Sequence, residues 1–102
     1  MQYRIDFRSM PWTSNMDGVR QKTFKFNGRQ IRLVEYSRTM PAHWCEKGHA
    51  GYMLSGEMEV QFENETHKYS AGDGICLPSG PQHKHCARIL TETATLIFVE
   101  DV

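Results

Sequence analysis

His43-Trp44-Cys45-Glu46-Lys47-Gly48-His49 runs directly into Ala50-Gly51-Tyr52-Met53-Leu54-Ser55-Gly56, and the reading of this stretch decides the fold. Three potential metal ligands, His43, Cys45 and His49, sit within its first half. A second cluster follows in Pro78-Ser79-Gly80-Pro81-Gln82-His83-Lys84-His85-Cys86. Between them the two windows hold all but one of the 5 histidines and all but one of the 3 cysteines. Such crowding predicts a single transition-metal site inside a small β-barrel.

Outward from this stretch the chain reads as short strands and turns. Upstream, Val19-Arg20-Gln21-Lys22-Thr23-Phe24-Lys25-Phe26 and Ile31-Arg32-Leu33-Val34-Glu35-Tyr36 flank Asn27-Gly28, the strongest short hairpin signal. Downstream, Met58, Val60 and Phe62 alternate with Glu59 and Gln61, as a half-buried strand does. Further strands are expected at His67-Lys68-Tyr69, Ile75-Cys76-Leu77, His83 to Leu90 and Thr95 to Val99. Residues 1–18 read as a lead-in: Tyr3, Ile5 and Phe7 alternate like a short edge strand, then Met10-Pro11-Trp12 breaks the run. Trp12 is expected to plug a barrel end or to act as a lid. No apolar helical stripe persists over eleven residues. Short strands with a turn signal every few residues predict an all-β sandwich or barrel.

A length of 102 residues fits one domain, with 1–18 as lead-in and 19–102 as barrel. Formal charge is +0, with no block of one sign, so there is no electrostatic footprint for nucleic acid or an anionic membrane. No apolar run approaches the ~20 residues of a membrane span, and the first residues lack a signal-peptide core. The odd cysteine count then reads as reduced thiols in a cytoplasmic protein rather than a disulfide framework. Cys76 and Cys86 are expected to be small buried strand residues, and His67 a solvated one. Short edge strands at the N-terminus and at residues 19–26 predict a homodimer.

Parity constrains the ligands. His43 and Cys45 share a face if extended, as do His49, Gly51 and Met53. His83, His85, Ala87 and Ile89 share a face, and Cys86 takes the other. This disfavours a finger-like zinc site of two cysteines and two histidines, because His83 and Cys86 point oppositely and no helix carries the second pair.

At these positions the chain resembles the cupin family. Its first motif has two histidines flanking one residue, a glutamate further on, then six residues and a glycine. His43 matches the first histidine, Cys45 stands at the second, His49 at the glutamate and Gly56 at the glycine. In the second motif Gly72, Pro78, Gly80 and His83 match at every spacing, with Ala87 where an asparagine usually stands. The resemblance implies a small single-domain jelly-roll β-barrel, the double-stranded β-helix, with His43, Cys45, His49 and His83 converging on one interior metal. His85 either orients a ligand or packs beside His83.

Imidazoles with a thiolate are a soft donor set, suited to zinc or iron first and also to nickel, copper or manganese. Oxygen-seeking magnesium and calcium are disfavoured. If Cys45 binds, a closed tetrahedral zinc site becomes available; if it stands aside, three histidines leave positions open. No paired carboxylates or Ser/His/Asp set identify an acid or base, and neither Glu35 nor Tyr36 can be singled out. Two functional expectations follow: a metal-dependent enzyme acting on a small molecule, dioxygenase-like or isomerase/lyase-like, or a non-catalytic small-ligand sensor, with or without metal.

Overall fold

The Asn27-Gly28 signal forms the hairpin it predicts. Strand β2 (Val19–Phe26) pairs antiparallel with β3 (Arg29–Ser37) from Val19↔Tyr36 to Phe26↔Arg29. Asn27 and Gly28 both take positive φ, 46° and 74°, the combination whose twist matches the flanking strands. The computed structural model describes residues 3–102 of the chain.

Seven more strands complete the described fold: β1 (Thr13–Met16), β4 (His49–Ser55), β5 (Glu57–Gln61), β6 (Thr66–Ser70), β7 (Gly74–Leu77), β8 (Cys86–Ile89) and β9 (Thr93–Asp101). They form a six-stranded sheet in the order β1-β2-β3-β9-β4-β7 and a three-stranded sheet in the order β6-β5-β8. Neighbours pair antiparallel throughout. The result is the expected all-β jelly-roll barrel. Its core draws on both sheets: Val34, Met53, Leu96 and Phe98 from the large one, Met58, Val60 and Ile89 from the small one.

Gly56 turns β4 into β5 at φ 83°, and a Cβ there would stand 2.3 Å from the Thr93 carbonyl oxygen. Positive φ and contact between backbones both call for glycine.

Register sorts the interior of the large sheet into layers. Lys25 lies opposite Gln30, Gln30 opposite Glu100, and His49 comes one residue before the Ala50↔Val99 pair. In the next inward-facing row Thr23 lies opposite Arg32, Arg32 opposite Phe98 and Phe98 opposite Gly51. Beyond these, Val34, Leu96 and Met53 are fully buried and apolar. The barrel is therefore polar towards one end and hydrocarbon-filled towards the other, and the polar end carries the site.

Several expectations are corrected. Tyr3, Ile5 and Phe7 form no strand; the chain makes a short 3₁₀ turn at Phe7–Ser9 and the first strand begins at Thr13. Met1 and Gln2 lie outside the described residues. Trp12 plugs no barrel end. It lies on the outer face, with the Arg20 guanidinium 4.3 Å and the Lys22 ammonium 4.7 Å from its ring, because cations are drawn to an aromatic face. Residues 19–26 are not a free edge over their whole length, since β1 pairs there at Thr13↔Gln21 and Met16↔Val19. Cys76 is exposed, because the neighbouring Ile75 and Leu77 take the inward positions of β7.

Candidate metal centre

The site begins with a backbone tie. The Cys45 N–H donates to the His85 carbonyl (2.8 Å) and the His85 N–H to the Cys45 carbonyl (2.9 Å). These reciprocal bonds hold two otherwise separate segments side by side and put both side chains over the cavity. Two more bonds pin the loop before β4: Gly80 N–H to the Glu46 carbonyl (3.0 Å) and Gly48 N–H to Ser79 Oγ (2.8 Å). His49 then arrives as the first residue of β4. Donor atoms of Cys45, His49 and His85 all lie within 4.8 Å of one another.

Of the four residues expected to converge, the structure brings Cys45 and His49 together. His43 is exposed but lines the same cavity, with Nδ1 3.2 Å from the Pro41 carbonyl. His83 is half-buried, does not line that cavity and is not in the three-donor group. The third member of the cluster is His85. The reason is local: Pro81–His83 winds into a 3₁₀ turn with proline at its start, so the chain re-enters extended geometry only after His83. His83 is spent on the turn, and its carbonyl lies 3.1 Å from Nδ1 of His85. The signal available in the sequence was Gly80-Pro81, a turn-starting pair just before two histidines of equal parity.

Each donor is held by a neighbour. Nδ1 of His49 donates to Oε2 of Glu100, and the His49 ring stacks on Phe98 with centroids 4.6 Å apart. That leaves Nε2 of His49 for the cavity, and the His83 carbonyl leaves Nε2 of His85 likewise. The Lys47 N–H lies 3.4 Å from Cys45 Sγ and donates to it, which fixes the direction of the sulfur. Burial lowers the pKa of His85, more than the His83 carbonyl raises it, so the ring is held in the neutral form that binds metals.

Glu100 went unremarked at the sequence level, yet it organises the polar layer. Its side chain is 1% exposed. Gln30 Nε2 donates to Oε1 (2.6 Å), Arg32 Nε to Oε1 (2.9 Å) and Arg32 Nη2 to Oε2 (3.2 Å), while Arg32 Nη1 donates to Gln21 Oε1 (2.9 Å). Burial alone would raise the carboxyl pKa. Hydrogen bonds from His49, Arg32 and Gln30, with the Arg32 charge, outweigh it and hold Glu100 at about 2 against an ordinary 4.5. Glu100 is one position from the end of a strand of otherwise apolar inward residues, which was the sequence clue.

Around the donors lies a cavity of about 500 Å³, a size typical of small-molecule sites. Tyr36, Met40, Met58 and Val60 supply part of its wall. Trp44 and Tyr52 do not: they are 50% and 47% exposed and line neither this cavity nor the core. The donor set fits a soft or borderline divalent ion. Tetrahedral ligands at ordinary zinc distances lie about 3.5 Å apart, within the spacing available here.

A two-sheet jelly roll with histidine and cysteine donors facing its interior defines a class of small barrel proteins. Residues 31–100 match the Cupin domain family, and the chain belongs to the cupin family. No curated protein matches the chain by sequence. Among solved structures it is similar to KdgF from Halomonas sp., at 21% identity and TM-score 0.79, over 97% of this chain and 92% of that one. It is also similar to an RmlC-like cupin from Shewanella frigidimarina (14%, TM-score 0.76, 99% and 91%) and to the EutQ protein of Clostridium difficile (16%, TM-score 0.63, 96% and 75%). At these identities the likeness establishes the fold.

Proposed function

We propose that the protein binds one divalent transition-metal ion through Cys45, His49 and His85, and that a small molecule occupies the cavity beside it. The observation that carries this reading is the convergence of those three donors within 4.8 Å of one another, each braced by a neighbouring group. In this reading His43, which lines the same cavity, is a further candidate ligand, and His83 contributes by orienting His85 through its carbonyl. Zinc or iron suits this donor set first, with nickel, copper and manganese following. When bound, the ion supplies Lewis acidity or redox chemistry at any position the protein leaves open.

Glu100 is the one carboxylate lining the cavity, and its oxygens are taken by His49, Arg32 and Gln30. It is not free to move protons to a ligand. This favours two outcomes: chemistry that rests on the metal itself, of oxygenase or isomerase/lyase type, or binding without chemistry, as in a sensor. Metal analysis of untagged protein, repeated on Cys45→Ala, His49→Ala and His85→Ala, tests the site. Stoichiometric metal in the parent and loss in each variant is expected. Parent protein with only trace metal after loading would sink the reading.

The whole chain is taken as one cytoplasmic domain; no helix among the described residues is long and apolar enough to cross a membrane. A homodimer is part of the same proposal. On the outer face of the large sheet Phe24 lies opposite Ile31, Ile31 opposite Val99 and Ile97 opposite Tyr52, and Tyr52 and Leu54 are about half exposed. An apolar sheet face suits a two-fold contact between identical copies. Light scattering that shows only monomer at high concentration would contradict it.

A further inference from the structure

We propose that the cavity selects a small carboxylate, gripped by Lys47 and Lys25 at the polar end while the rest of the ligand lies over the metal centre. The inference rests on the metal reading above and names the ligand class for the same site.

The charges on the wall are unbalanced. Lys25, Arg32 and Lys47 line the cavity, against Glu100 alone. Arg32 and Glu100 neutralise each other through their paired hydrogen bonds of 2.9 and 3.2 Å. Each nitrogen of the Arg32 guanidinium makes a hydrogen bond, two on Glu100 and one on Gln21, so its charge is already offset within the protein. The two lysines remain. Lys47 Nζ lies 3.9 Å from Glu100 Oε1, beyond hydrogen-bond distance of a carboxylate that is already saturated. Lys25 has no ion-pair partner among the described residues.

Register places both on the same side of the site. Lys25 begins the row Lys25–Gln30–Glu100 that ends against His49, and Lys47 approaches the same Glu100 oxygen from the loop before β4. Both lysines are exposed at the cavity rim, and two ammonium groups there attract anions to its mouth. Met16, Val19 and Met40 add apolar lining to the same cavity, which suits a short carbon chain better than a bare inorganic anion.

The test is calorimetric titration of the full chain, metal-loaded and metal-stripped, with pyruvate, glycolate, 2-oxoglutarate and benzoylformate, each compared with its methyl ester and with inorganic phosphate. At least one carboxylate is expected to bind more tightly than its fully esterified form and than phosphate, with affinity falling as salt rises. Lys47→Gln and Lys25→Gln should each weaken it roughly tenfold to a hundredfold, the loss of a charge-assisted hydrogen bond. Lys47→Arg should restore most of the binding, and metal content, measured separately, should stay unchanged in all three. Esters binding as well as acids, phosphate binding better than any acid, lysine variants binding like the parent, or no binding by any of the four overturns the proposal. Loss of metal in the parent alone overturns the metal reading, and the lysine dependence in stripped protein still decides this one.

Discussion

His49 and Glu100 face each other across β4 and β9, the imidazole Nδ1–H donating to a carboxylate that is buried and already bound by Arg32 and Gln30. A histidine with one nitrogen held in this way presents the other in a fixed direction. The polar layer beneath the cavity is thus a platform for one ligand.

Replacing Glu100 with glutamine tests that relationship. Glu100→Gln keeps the shape, removes the charge and leaves Arg32 buried without its counter-ion. Metal affinity should fall about 10- to 100-fold, as it does when outer partners of metal ligands are lost. Stability should fall by about 3–5 kcal/mol, the usual result of breaking a buried pair on one side. Chelator competition and urea unfolding read the two effects separately. Unchanged metal affinity would show that the platform has no bearing on the site.

Acid should destabilise the metal-free protein in two stages. The His85 pKa is lowered in the fold, so below about its ordinary value of 6.5 the unfolded chain takes up a proton that the folded chain refuses, and stability falls with pH. The Glu100 pKa is depressed from 4.5 to about 2. Its contribution is complete above the unfolded value and is lost as pH falls from there towards the folded one. That difference corresponds to about 3 kcal/mol. Urea midpoints near pH 7, about pH 5 and about pH 3 should decline stepwise. His85→Asn should flatten the first step and Glu100→Gln the second; the same slopes in both variants would refute these assignments.

Two glycines on paired strands should respond oppositely to an added methyl. A Cβ at Gly51 would lie 2.0 Å from the Ile97 carbonyl oxygen and 2.9 Å from Phe98 Cδ1. Gly51→Ala must push β4 off β9 and displace the ring on which His49 stacks, costing roughly 1–3 kcal/mol or more and weakening metal binding. At Gly74 the nearest atom is 3.8 Å away, and Gly74→Ala should stay within about 0.5 kcal/mol of the parent. Thermal unfolding of both variants makes the comparison, and equal melting temperatures would contradict the clash.

Cobalt substitution reports on the thiolate. A Cys45–cobalt bond gives an intense sulfur-to-metal charge-transfer band in the near ultraviolet. Cys45→Ser should abolish that band and shift preference away from soft ions, since a hydroxyl is a harder and less ionised ligand. A band that survives the substitution would assign the sulfur ligand elsewhere.

Much of this was legible from local chemistry. Asn27-Gly28 announces a hairpin because few other pairs tolerate two positive φ values. Met58 and Val60 announce an inward face because strand side chains alternate. Cys45 and His49 stood out because soft donors seldom crowd into one loop. The third member of the cluster, His85, lies two residues beyond the motif histidine His83: motif spacing counts residues, whereas the 3₁₀ turn at Pro81–His83 advances the chain differently from a strand. Glu100 was passed over because nothing adjacent to it in sequence shows that Gln30, Arg32 and His49 will surround it.

The sequence by itself determined the architecture, through alternation, turn residues and the two spaced glycine-proline-histidine patterns, all of which act over a few neighbouring residues. Only the tertiary structure decided which donors meet and what holds them. Cys45 finds His85 through reciprocal backbone bonds between segments 40 residues apart, and His49 finds Glu100 at a separation of 51. Those contacts depend on strand order and register, which no local pattern encodes.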